Sequence, residues 1–287
     1  MRYMRCDGLR VKKADPMYAL IPYFLTKRYD AQNMTTIDIP VDPLKKYINE
    51  KRKEEKYISH LALIIAAYIR TAAQYPFINR FIGNKKVYQH NDFTVSMVVL
   101  RHNSDDDTMA KIHFEMTDDI FEVQRKIDEF VATNRSDADQ GLDKIMRIIQ
   151  GIPGVMGFAI AVLRFMDKHG LLPRAIVDVS PFHASLLISN LASIRTNHIY
   201  HHVYQFGTTS VGITMGNMRE VPKRKGGVVI HEKCIPLGVV MDERICSGHY
   251  FAKAFQALKG YLADPSTLEG PPKFKVIEKE EAANTLH

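Results

Sequence analysis

The run CIPLGVVM at 234–241 has the uninterrupted apolar character of a buried strand. It is followed by DERICSG at 242–248, a turn crowded with opposite charges and small polar groups, and then by a helical pattern. That helix carries Phe251, Ala254, Phe255, Leu258 and Leu262 on one face and stops at Asp264-Pro265, because the residue before a proline is driven out of the helical region. A strand that delivers the chain through a charged knot into a helix requires sheet and helix in one domain, and makes 242–248 the first place to look for chemistry.

The rest of the chain repeats both patterns. From His60, Leu61, Ile64, Ile65, Tyr68 and Ile69 recur at helical spacing, with Pro76 just beyond, which predicts an amphipathic helix. FTVSMVVL at 93–100 and KIHFE at 111–115 read as strands around an acidic turn at 105–107. Helical spacing returns with Ile120, Val123, Ile127 and Phe130, and again with Leu142, Ile145, Met146 and Ile149. SLLISN at 185–190, TTSVGITM at 208–215 and the 234–241 run are further strands, the last two joined through a basic turn in VPKRKGG. The first forty residues, punctuated by Pro16, Pro22 and Pro40, read as irregular and strand-like, with a charged helix starting near Leu44. Strands and helices mix without strict alternation, so the pattern favours a mixed sheet covered by helices over a doubly wound parallel one.

The 287 residues, 46% of them hydrophobic, suffice for one sizeable core, and no repeat or low-complexity linker divides the chain. The reading is a single domain over 1–268, with an N-terminal arm at 1–17 and a flexible polar tail at 269–287. Cys6, Cys234 and Cys246 are odd in number and far apart, which offers neither a disulfide framework nor a paired-cysteine zinc site and fits a reducing, cytoplasmic setting. The longest uncharged run, between Arg147 and Arg164, contains Pro153 and falls short of the roughly 18 apolar residues of a spanning helix, so it is read as a buried core segment and no membrane is expected. MYALIPYFL at 17–25 lacks the cleavage site of an export signal.

The formal charge of +7 favours anionic ligands in general. Its basic residues are interleaved with acids, as in KKYINEKRKEEK at 45–56, which is a solvated helix face and not a nucleic-acid patch. GIPGVMG at 151–157 has phosphate-loop spacing but no strand before it, so helix break and close packing explain its glycines. HIYHHVY at 198–204 spaces His198, His201 and His202 for chelation only if helical. Its β-branched and aromatic residues argue against a helix, and no metal site is assigned. Cys246 has no hydrolase signature around it and reads as a small buried residue.

LLISNLASI at 186–194, GTTSVGITMGN at 207–217 and IPLGVVMDERICSGHYFAKAFQALKGYLADPSTL at 235–268 resemble the end of the catalytic domain of dihydrolipoyl acyltransferases of 2-oxoacid dehydrogenase complexes. ISHLALIIAAYIRTAAQYPFINRFI at 58–82 resembles that family's first long helix and the turn after it. The resemblance implies an α/β two-layer sandwich, a mixed β-sheet covered by helices, of the chloramphenicol acetyltransferase-like kind. It also implies a homotrimer with active sites between subunits. The family signature is Asp-His-Arg-x-x-Asp-Gly; its histidine takes the proton from the attacking thiol, and a serine of the Ile-Ser-Asn-type strand stabilises the oxyanion. Ser189 matches the serine, and Asp242, Arg244 and Gly248 match their signature positions. Glu243 stands in place of the histidine and Ser247 in place of the second aspartate.

A carboxyl of pKa ~4.3 is mismatched to a thiol of ~8.5 by about four units, on the order of 5 kcal/mol, which makes His201, His202 and His249 worth weighing as substitutes for Glu243. The resemblance implies a thiol-dependent acyltransferase that moves an acyl group between an unknown acceptor and either coenzyme A (or acyl-coenzyme A) or a lipoyl group. Ser189 would polarise the carbonyl, His201, His202 or Glu243 would act as base, and Arg244 would hold the loop. With no room in the chain for a lipoyl domain, the thiol is expected from free coenzyme or from a lipoyl-bearing partner protein. The alternative is a non-catalytic trimeric binding or assembly subunit of a 2-oxoacid dehydrogenase-type complex.

Overall fold

A computed structural model describes residues 5–13, 15–100, 107–135, 155–277 and 279–284. The helix read at 142–149, the loop glycines at 151–154 and Asp105 and Asp106 of the acidic turn lie outside the described residues. The strands that sequence alternation predicts come together in one seven-stranded sheet. Its path runs from β2 (Gln32–Pro40) to β10 (Val228–Asp242), β8 (Val211–Met215), β7 (Leu186–Asn190), β5 (Phe93–Leu100) and β6 (Asp107–Phe114), and β9 (Arg219–Lys225) pairs with β10 off that path. Strand β7 is parallel to β5 and β8 and every other pairing is antiparallel, which makes the sheet mixed as expected. A second, three-stranded sheet orders β1 (Gly8–Arg10), β4 (Lys86–His90) and β3 (Arg80–Gly83).

One face of the large sheet presents Ile188, Ile213, Val239 and Ile37 to a single apolar core shared with α3 (His60–Gln74), α4 (Ile120–Arg135) and α7 (Gly248–Ala263). Helix α3, expected to be amphipathic, is instead buried from Ala62 to Ala73 on every side. A helix that is apolar all round is stable only inside a core, and α3 lies between α4, α7 and the chain after α7. Its buried Arg70 donates to the carbonyls of Gly270 (2.7 Å) and Thr267 (3.4 Å), which accounts for a charge in that setting.

Five expectations are corrected. Residues 16–24 form a helix, α1 (Pro16–Phe24), started by Asp15 capping the Met17 amide and by Pro16 in the first turn. Helix α2 begins at Val41 rather than near Leu44, running Val41–Lys53. VPKRKGG is mostly strand β9, and the turn is Gly226-Gly227, whose φ angles of 57° and 85° suit the central positions of a two-residue hairpin. The described part of the uncharged 147–164 run lies in helix α5 (Val155–His169), ahead of α6 (Arg174–Val179), and its Phe158 is 73% exposed, so it is not core. In the segment read as a polar tail, α8 (Lys279–Asn284) buries Ala282 and Ala283, and the Ala282 carbonyl accepts from Arg80 at 2.7 Å. Among the described residues no helix is long and apolar enough to cross a membrane.

The opposite face of the sheet carries a row of small and polar residues. Ser189 is in register with Thr214, Thr214 with Gly238, and Gly238 with Thr36, so the four form one row across β7, β8, β10 and β2. Residues 197–204 lie over this row as an irregular strap. His198 Nε2 and the Tyr200 hydroxyl meet the Thr36 hydroxyl at 3.1 and 2.6 Å, and Thr214 accepts from the Ile199 amide at 3.1 Å. The strap can press this close because β10 carries glycine at 238: a Cβ there would stand 2.3 Å from the Ile199 carbonyl.

Candidate functional site

The 242–248 turn is held by charge. Asp242 ends β10 with no exposure, and its two oxygens accept from Arg244 Nε (2.7 Å) and Nη2 (2.6 Å), a bidentate pair closed over two residues. The Arg28 Nε lies 3.5 Å from the same carboxylate. Burial pulls the Arg28 pKa below its ordinary value, opposed by Asp242. Arg244 Nη1 also donates to the Leu25 carbonyl (3.1 Å), which ties the end of α1 to the knot. Arg28 Nη2 donates to the Gly207 carbonyl (3.1 Å), which ties in the loop after the strap.

Glu243 is half-buried. Its amide donates to the Ala31 carbonyl (2.9 Å) and its Oε2 accepts from Asn33 Nδ2 (2.7 Å). The partner of Arg244 is thus Asp242 and not Glu243. Ser247 is the N-cap of α7, accepting from the Tyr250 amide at 3.0 Å, a task that aspartate performs equally well. A Cβ on Gly248 would meet nothing within 4 Å, and nothing in the structure explains glycine there. Cys246 is fully buried, and burial holds its thiol well above the ordinary value, which keeps it neutral and unreactive.

Ser189 sits near the end of β7 on the strap-covered face. Asp242 is four residues past Gly238 and two strands away from Ser189, so at about 3.3 Å per residue and 4.8 Å per strand their Cα atoms lie roughly 16 Å apart. Glu243 is beyond that, and one chain does not bring Ser189 and the knot together. His201 and His202 are on the strap, their rings stacked with centroids 4.9 Å apart, and His201 Nδ1 meets the His202 carbonyl at 2.9 Å. No hydrogen bond joins either ring to Glu243 or Ser189 among the described residues. His249 is exposed on the first turn of α7. Among the described residues no group of three or more His, Cys, Asp or Glu side chains is arranged to hold a metal.

A cavity of about 360 Å³ adjoins the knot, with Arg244, Arg5, Asp167 and Gly207 in its wall. Behind it lies a second buried ionic group that sequence reasoning missed. Arg5 pairs with Asp7 (2.8 Å) and Asp167 (2.6 Å), and Asp167 also accepts from the Gly207 amide (2.9 Å) and meets His183 Nε2 at 3.3 Å. Burial pushes the Asp167 carboxyl up, but His183 and Arg5 together outweigh it and hold the group well below the usual carboxylate range. Arg5 and Asp167 are 162 positions apart, and no local pattern links them.

The backbone that carries these groups is shared with known proteins. The fold is the one found in dihydrolipoamide acetyltransferase cores. A probable dihydrolipoamide acetyltransferase of Listeria monocytogenes superposes with a TM-score of 0.57 at 14% identity, over 92% of this chain and 98% of that one. The dihydrolipoamide acetyltransferase of Azotobacter vinelandii, in which a serine, a histidine and an asparagine have been investigated for their catalytic roles, gives 0.59 at 13% identity over 89% and 93%. A truncated catalytic core of the 2-oxoacid dehydrogenase complex of Thermoplasma acidophilum gives 0.56 at 12% identity over 88% and 97%. No protein-family model matches the chain, and no curated protein matches it in sequence.

Proposed function

We propose that this chain is a thiol-dependent acyltransferase that works as a homotrimer, with each site shared between two copies. The observation that carries the reading is a backbone like that of acetyltransferase cores over nine-tenths of the chain, with Ser189 on the strap-covered face of β7. The roughly 16 Å between Ser189 and the knot supports a site that needs a second copy. The apolar side chains exposed on α1 and α5, Phe24 at 80% and Phe158 at 73%, support copy-to-copy contact.

In this reading the thiol of coenzyme A or of a partner's lipoyl group attacks the thioester carbonyl. The Ser189 hydroxyl donates to the oxyanion that forms, and collapse expels the other thiol, which recovers the proton. Imidazole suits that proton better than a carboxylate, so His201 or His202 is the leading base and Glu243 of a neighbouring copy the second. Assay of acetyl transfer from acetyl-coenzyme A to dihydrolipoamide by the purified protein tests this. Ser189→Ala and the variant that removes the base are expected to lower transfer roughly a hundredfold.

A second reading, a non-catalytic assembly subunit, is favoured by Glu243 itself, whose carboxylate is engaged by Asn33 beside a knot complete in its own ion pairs. Transfer no faster than the uncatalysed rate by a trimer confirmed by light scattering would select it.

A further inference from the structure

A second cavity, of about 320 Å³, is enclosed by the end of α3, strands β4 and β6, and the chain around α8. Neither Ser189 nor the 242–248 turn lines it. One wall is the short turn Pro76–Asn79, whose Pro76 and Asn79 carbonyls accept from Gln89 Nε2 at 3.1 and 2.9 Å. Another is α8, held by the donation from Arg80 to the Ala282 carbonyl.

Two deeply buried side chains in this wall each leave an atom unanswered. Asn79 is 3% exposed and His90 6%, and neither Asn79 Oδ1 nor His90 Nε2 has a hydrogen-bond partner among the described residues. Burial pulls the His90 imidazole down to about 4, so the ring is neutral at pH 7. Its N–H is drawn to the Thr208 backbone, which leaves Nε2 as an acceptor. Buried polar atoms are nearly always paired, so two such acceptors in one wall call for N–H donors from outside the chain. The ionisable side chains that line the cavity from its exposed side are Asp92, His113, Glu115 and Lys279. Asp92 is answered by Arg174 at 2.8 Å, whereas Glu115 and Lys279 form no ion pair among the described residues.

The wall thus offers an unanswered anion, an unanswered cation and a pair of buried acceptors. A free α-amino acid complements all three, with its ammonium for Glu115, its carboxylate for Lys279 and its side chain for the interior. The end of that side chain has to bring N–H donors without charge, because a buried ammonium or guanidinium would give up its hydration against neutral acceptors. A carboxamide, with two N–H donors and no charge, meets both conditions. Ala72, Phe93 and Ile277 in the same wall suit the methylene groups. We propose that this cavity binds a free amino acid with a carboxamide side chain, glutamine or asparagine, with the carboxamide N–H groups on Asn79 Oδ1 and His90 Nε2. At about 320 Å³ the space lies at the small end of ligand cavities and is matched to one amino acid.

Calorimetric titration of the full chain with L-glutamine, L-asparagine and L-glutamate tests the proposal. Glutamate has the shape of glutamine but sets a carboxylate against the two acceptors, so glutamine is expected to bind and glutamate to bind more weakly by about tenfold or more. The double variant Glu115→Gln/Lys279→Gln alters only exposed side chains, and is expected to keep the wild-type melting transition while losing about tenfold or more in glutamine affinity. Asn79→Leu removes one inner acceptor and is expected to narrow the gap between glutamine and glutamate. Its melting transition is checked first, and the double variant decides the matter if Asn79→Leu does not fold. No heat with millimolar glutamine or asparagine overturns the proposal and leaves the two acceptors to water. Equal binding of glutamine and glutamate by the wild type, or equal glutamine binding by wild type and double variant, overturns it as well. The acyl-transfer reading rests on other residues and is untouched by any of these results.

Discussion

Two sets of positive charge lie at or beside one cavity and are held in opposite ways. Arg5, Arg28 and Arg244 are buried, and Asp7, Asp167 and Asp242 lie against them at 2.6 to 3.5 Å. Lys85, Arg164 and Lys168, across the same cavity, reach the surface with no carboxylate partner among the described residues. A buried guanidinium must be paired, because leaving water costs several kcal/mol per ion, whereas an exposed ammonium keeps its hydration and needs no partner. The first set therefore serves the fold, whereas the second stays at the surface, with the Lys85 ammonium over the Tyr23 ring at 5.1 Å. The signature-like 242–248 segment belongs mainly to the first set: its aspartate and arginine answer each other, and only one edge of Arg244 borders the cavity.

Removing an acid from the buried set should have the largest effect. Asp242→Asn leaves Arg28 and Arg244 facing each other without compensation, and a loss of roughly 3 to 5 kcal/mol is expected. It would be measured as a lower urea midpoint at unchanged slope. An unchanged midpoint would mean that the knot is not structural.

Asp167→Asn is the next test, and it depends on pH. The folded-state pKa of Asp167 lies below its unfolded value, so ionisation stabilises the fold above about pH 4 and that contribution is lost as pH falls through the folded value. A deficit on the order of 3 kcal/mol at pH 7 relative to wild type is expected, narrowing steadily below pH 4. A deficit that is the same at pH 7 and pH 3 would show that the lost interaction is not ionic.

Smaller effects follow at the edge of the knot. Ser247→Ala removes the N-cap of α7 and should cost about 1 kcal/mol, while Ser247→Asp, which offers another capping carboxyl oxygen, keeps the cap and should cost almost nothing. Equal losses in both variants would mean that the cap does not matter. Smallest of all, the triple substitution of Lys85, Arg164 and Lys168 should change stability by no more than about 0.5 kcal/mol, because exposed charges contribute little. A large loss would move these residues into the structural set and erase the contrast.

Much of the fold was legible because its signals are local. The strands β5, β7, β8 and the second half of β10, and the helices α3, α4 and α7, follow from apolar spacing within each segment, and the resemblance located Ser189 and the 242–248 knot on them. The misreadings have separate physical origins. Helix α1 was hidden by Pro22, which the helix tolerates one turn and a half from its start, and α5 has the composition of a core segment yet lies on the surface of the single chain. Composition records how apolar a segment is and not which neighbour covers it.

Sequence alone determined most element types, the mixed sheet and the place of the knot, because hydrophobic periodicity and capping act over a few residues. Only the tertiary structure decided which charges answer each other. Arg5 and Asp167 are 162 positions apart, and Arg244 and the Leu25 carbonyl 219, yet each pair lies within 3.1 Å. Coulomb and hydrogen-bond energies depend on distance through space, and the order of residues along a chain carries no record of it until the chain has folded.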